Sequence, residues 1–232
     1  MNNVIAENEG FNRVLSAARF CLRHMLSCVI IGGCLWVAGC EGSSDDNDES
    51  NSDEIVPESG ADSNSSHPMF PDGLHPNGAG AERIARVFAN TIGTLDPSDT
   101  RPIVCIGDSI TAGGYPAILE SITGRKVVNA GVGGAHSEDG ASRVAGLLSA
   151  HGPSHLCILF GINDINSGHP NSEIIGNLNA IASAAKAAGA EPIIGTLTPV
   201  FGKYADKQVY VNDLNARIRS MGVRVANLAG AF

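Results

Sequence analysis

The sequence predicts an α/β domain whose parallel sheet is covered by helices on both faces. Short apolar runs alternate strictly with longer stretches of helical periodicity from Ile103 onward, and that alternation is the mark of a parallel sheet. The runs are apolar throughout, as in Ile103-Val104-Cys105-Ile106, which suits strands buried on both sides. Gly189 and Gly222 also stand where helix ends favour glycine.

Residues 1–40 read as an export signal. Arg13, Arg19 and Arg23 precede an apolar run from Met25 to Ala38, shorter than the roughly 20 residues that span a bilayer. A charged start, a short apolar core and small residues at the cut are marks of a signal peptide. Residues 41–66 carry nine acids and no Lys or Arg. With almost no large apolar side chains they cannot offset their ordering entropy, and a disordered acidic tether is expected. The third segment, residues 67–232, is the folded domain. From His67 onward thirteen acids face twelve bases, so the net charge of −9 belongs mainly to the tether. No basic stripe points to a nucleic acid partner.

Within the domain a helix follows Pro76, because Ile84, Val87, Phe88 and Ile92 recur at three- and four-residue steps. Residues 94–101, with Asp96-Pro97-Ser98-Asp99, form a connector. Strands are expected at 103–106, 126–129, 156–160, 192–196 and 223–227. Helices are expected at 116–122, 138–150, 172–188 and 207–220. Four of the six cysteines lie in the leading segment, leaving Cys105 and Cys157 in strands. A disulfide is permitted in an exported protein, but thiols in central strands usually pack as small hydrophobes. Free thiols are expected.

Four short blocks carry the chemistry. Ser109 follows the first strand in Gly107-Asp108-Ser109-Ile110-Thr111, at the carboxyl edge where ligands bind in open α/β sheets. By itself this tripeptide suits an ordinary surface turn, and its placement after a buried strand gives it weight. Met69 to Gly80 contains Asp72 and His75. Imidazole titrates near neutral pH and can serve as a general base, and Asp72 stands near enough to orient it. The same pair also suits a turn in which Asp72 caps the next helix. Asn129 to Gly134 and Gly161-Ile162-Asn163-Asp164 each end a strand. Asp164 is expected to steady its loop. His136 and His169 lie close to these blocks as weaker candidates for substrate contact. No metal-binding spacing appears, and no cofactor is called for.

These blocks resemble the signatures of the SGNH (GDSL-type) hydrolases, from Met69 to the end of the chain. The resemblance implies a flavodoxin-like three-layer sandwich with a five-stranded parallel sheet. It implies Ser109 as nucleophile, His75 as base and Asp72 as its partner. The N–H of Ser109, the N–H of Gly134 and the side chain of Asn163 then form the oxyanion hole. One departure stands out: the block with Asp72 and His75, which normally closes the domain, here comes first. A circular permutation accounts for this order. The helix after His75 should then run from the carboxyl edge to the amino edge and finish near the first strand. Phe232 and Met69 should be neighbours.

Val37-Ala38-Gly39-Cys40 resembles the lipobox of bacterial lipoproteins. That implies lipidation at Cys40 and a protein anchored in the bacterial cell envelope. The function expected is a serine esterase acting on small-molecule, polysaccharide or lipid esters, with small acyl groups mildly favoured. A carbohydrate O-acetyltransferase using the same triad and a non-catalytic binding lipoprotein are the alternatives. If the tether enters ahead of the His75 loop, the active-site rim should tend to face the membrane.

Overall fold

The computed structural model describes residues 67–232. The export signal at 1–40, Cys40 and the tether at 41–66 lie outside the described residues. Seven α-helices are described: α1 (Gly78–Ile92), α2 (Ser109–Ala112), α3 (Tyr115–Thr123), α4 (Ser137–His151), α5 (Ile162–Asn166), α6 (Asn171–Ala187) and α7 (Gln208–Arg219). The strands are β1 (Ile103–Gly107), β2 (Val127–Gly131), β3 (His155–Leu159), β4 (Glu191–Gly195) and β5 (Arg224–Ala226). Short 3-10 turns occupy Gly202–Lys207 and Ala229–Ala231.

All strand pairs are parallel, in the order β2-β1-β3-β4-β5. This is the flavodoxin-like arrangement, whose order reverses at β1 and opens a crevice between the carboxyl ends of β1 and β3. Every residue of β1 is buried, as expected of a central strand covered on both faces. Helices α1 and α3 pack together, and α4 packs with α6, which in turn meets α7. The core joins Ile103, Ile106, Leu156, Ile158, Ile193 and Ile194 of the sheet to Phe88, Tyr115, Leu178 and Leu214 of the helices. The rings of Phe88 and Tyr115 stack at 5.4 Å. Cys105 and Cys157 lie side by side on β1 and β3 as buried free thiols.

The long elements fall within a residue or two of their sequence expectations. Helices α2 and α5, of four and five residues, were not expected, because so short a helix shows barely one turn of periodicity. The course of α1 also differs in detail. Its carboxyl end lies beside the first residue of β5, where the Arg224 guanidinium donates to the carbonyls of Thr91 and Ile92. Residues 94–101 lead from there to the start of β1. Along the way Arg101 donates to the Gly189 carbonyl at 3.1 Å. Arg125 holds the carbonyls of Asp96 and Arg101 at 2.9 and 3.1 Å. At the opposite edge the rings of Phe70 and Phe232 meet at 4.9 Å.

Candidate active site

The end of β1 passes directly into α2. Asp108 caps that helix, its Oδ1 accepting the N–H of Ile110 at 2.9 Å. Ser109 is the first residue of the helix and half-buried, so its N–H has no partner within the helix. The remaining carboxylate oxygen of Asp108 is buried with no hydrogen-bond partner. Burial pushes this carboxyl up to about 6, opposed by the bond from Ile110 and by nearby His75. A Gly-Asp-Ser block does not reveal how deeply its acid is enclosed.

His75 arrives on the loop preceding α1. Asp72 shapes this loop: its Oδ1 accepts the N–H groups of Leu74 at 2.9 Å and His75 at 2.7 Å. Its Oδ2 lies 2.6 Å from Nδ1 of His75. Nε2 of the same ring lies 3.0 Å from Oγ of Ser109. Partial desolvation raises the Asp72 carboxyl, but its bonds from His75 and Leu74 outweigh that and hold it at about 2. An ionised Asp72 places the proton on Nδ1 and leaves Nε2 free to accept from the serine. Such a line can take the hydroxyl proton as the oxygen attacks an electrophile. Asp72 does not cap α1, which is capped by Asn77, whose side chain accepts from Gly80.

The loop after β2 begins where the Val132 N–H donates to the Gly107 carbonyl at 3.0 Å. Gly134 has a φ of +76°, a region that glycine enters without steric penalty. Asn163 sits in the first turn of α5, and its Nδ2 donates to the Ala135 carbonyl at 3.0 Å. One amide hydrogen is thus spent beside Gly134, and a second remains for another acceptor. Asp164 is buried and accepts from the Ser137 N–H at 3.1 Å and the Ser137 Oγ at 2.6 Å. It locks α5 to the start of α4. His136 caps α4, and its Nε2 lies 2.9 Å from Oγ of Ser167. Its ring lies 5.3 Å from that of His169, which pairs with Glu173. Neither histidine bonds to Asp72, His75 or Ser109.

Residues 105–231 match the model of the GDSL-like Lipase/Acylhydrolase family. Thioesterase 1/protease 1/lysophospholipase L1 of Escherichia coli (strain K12) is 33% identical over 101 residues, covering 40% of this chain and 49% of that protein. The chain thus spans about half the length of the curated relatives it matches. A GDSL-like lipase from Bacteroides thetaiotaomicron VPI-5482 is 20% identical with a TM-score of 0.48, covering 62% of this chain and 77% of its own. The psychrotrophic esterase EstA from Pseudoalteromonas sp. is 20% identical with a TM-score of 0.46, covering 55% and 76%.

Proposed function

The chain belongs to the GDSL-like lipase/acylhydrolase family, and from that premise we propose that it hydrolyses carboxylic esters through an acyl-enzyme on Ser109. One observation carries the reading: Asp72, His75 and Ser109 form an unbroken line of contacts at 2.6 and 3.0 Å. In the first step Nε2 of His75 takes the Ser109 proton as Oγ bonds to the ester carbon. The carbonyl electrons move onto oxygen, where the N–H of Ser109, the N–H of Gly134 and the Asn163 amide meet the charge. Collapse of this intermediate breaks the carbon–oxygen bond to the alcohol, which leaves with the imidazolium proton. Water then attacks the acyl carbon, giving its proton to His75, and the acid departs as Ser109 recovers its own. Asp72 stabilises the imidazolium in both halves without taking a proton.

The proposal includes a circular permutation. Its support is the chain order together with the family match, which begins at Cys105. The loop bearing His75 precedes that match and yet reaches Ser109. Lipidation at Cys40 and an envelope location belong to the same proposal and rest on the sequence motif. Labelling with a radioactive fatty acid, lost in Cys40→Ser, tests that part.

Small esters are the substrate class proposed. A series of chromogenic esters of increasing acyl length, assayed with Ser109→Ala alongside, tests the hydrolysis. Hydrolysis by wild type and its absence in the variant are expected. Equal rates in both would overturn the acyl-enzyme. Transfer to an added sugar in preference to water would favour the acetyltransferase.

A further inference from the structure

Arg143 projects from α4 toward the carboxyl ends of β1 and β2. Its Nη1 donates to the carbonyl of Ala130 at 2.7 Å, and its Nη2 to the carbonyl of Gly107 at 2.9 Å. The first carbonyl opens the segment leading to Gly134. The second belongs to the peptide that joins Gly107 to Asp108, one residue before Ser109. A single planar fork therefore grips both segments that supply backbone N–H groups to the proposed oxyanion hole. These segments already touch, since a Cβ on Gly131 would come within 2.2 Å of the Ala112 nitrogen.

This arrangement carries a cost. The Nε of Arg143 is buried without a hydrogen-bond partner, and an unmet buried donor is destabilising. Desolvation also lowers the guanidinium pKa, with Asp139 opposing. The ring of Phe160 lies 5.9 Å below the charge. A residue that only filled this space would do so at less cost as an apolar side chain. What the guanidinium adds is a rigid fork of donors at fixed spacing.

We propose that Arg143 is a positioning residue that sets the spacing between the Ser109 and Gly134 N–H groups. The proposal rests on the acyl-enzyme reading above. Arginine acts through the backbone and touches neither substrate nor the reacting atoms. Its removal should weaken transition-state binding and leave ground-state binding alone.

The test compares Arg143→Ala and Arg143→Lys with wild type on one chromogenic ester, each rate divided by sites titrated with a fluorophosphonate. For Arg143→Ala, kcat per site should fall about 100-fold, as on losing one oxyanion donor, with KM unchanged. Affinity for an alkyl boronic acid, which forms a tetrahedral adduct on serine, should fall in the same proportion. Added ethylguanidinium should restore part of the rate to Arg143→Ala and none to wild type. Arg143→Lys retains the charge and should fold even where alanine does not, yet lose kcat without a change in KM. Full kcat per titrated site in either variant would overturn the proposal, whatever the melting temperature. If Ser109→Ala stays active, the acyl-enzyme reading falls; if it is inert and the Arg143 variants are fully active, only this inference falls.

Discussion

The N–H of Phe201 donates to the carbonyl of Gly73 at 2.8 Å, joining the His75 loop to the loop that follows β4. The Phe201 ring stacks on His67 at 4.5 Å and meets the buried Phe70 at 5.4 Å. Asn77 closes the other side, its N–H bonding to the Met69 carbonyl and its side chain to that of Pro68, each at 2.8 Å. The loop bearing His75 is therefore braced by the segment after β4 and by its own flanking residues.

Gly73→Ala should release that brace. The added Cβ would stand 2.3 Å from the Phe201 carbonyl oxygen, at a φ of +84°. Left-handed backbone alone costs an alanine about 1–2 kcal/mol, and the clash adds to it. We expect a marked loss of kcat with far-ultraviolet circular dichroism preserved. An unchanged kcat would show that the brace does not govern His75.

Ser109→Ala and His75→Ala should each lower kcat by about 10⁶, since members of a triad act as one unit. Neither variant should be labelled by a fluorophosphonate at a measurable rate. Strong labelling of His75→Ala would mean that another base serves Ser109.

Asp72→Asn should be costly, by about 10⁴ in kcat. Its carboxylate is the only group recorded at Nδ1 of His75 among the described residues, so no backbone carbonyl shares the task. An amide there favours the wrong tautomer. Because Asp72 is held at about 2, the stabilisation it gives is present above the ordinary aspartate range and is lost only as pH falls through about 2. The acidic limb of the pH–rate profile should therefore lie well above Asp72's own titration. A limb centred near pH 2 would contradict this.

Asp108→Asn should stabilise the domain, and more so at high pH. The Asp108 carboxyl is raised to about 6 by burial, so the folded state holds its proton more tightly than the unfolded chain does. The penalty for ionising it is absent below about pH 4 and complete above the folded pKa, reaching roughly 3 kcal/mol at most. Asparagine keeps the cap to Ile110 without the charge. Urea unfolding at pH 8 and pH 5 should show a gain over wild type that shrinks at the lower pH. A gain independent of pH would refute the assignment.

The long elements were legible because their signals are local. Val144 and Leu148 recur along α4 at a helical step, and β1 is apolar from end to end. Ser109, His75 and Asp72 were legible from residue type and from their positions beside such elements. Less visible was the amide of Asn163, half committed to the Ala135 carbonyl. Arg143 is hidden for a similar reason: a helix arginine reads as a solvated charge until its acceptors are known. The solitary Oδ2 of Asp108 belongs to the same class.

The sequence by itself determined which groups were available and which strand or loop would carry each, since periodicity, caps and turn residues act over a few positions. Tertiary structure alone decided that His75 and Ser109, 34 residues apart, would stand 3.0 Å from each other. It also decided that Phe201 would brace the one and Arg143 would grip the strand beneath the other. Those meetings depend on the order of strands in the sheet, which is settled by burial over the whole domain rather than by any single stretch of chain.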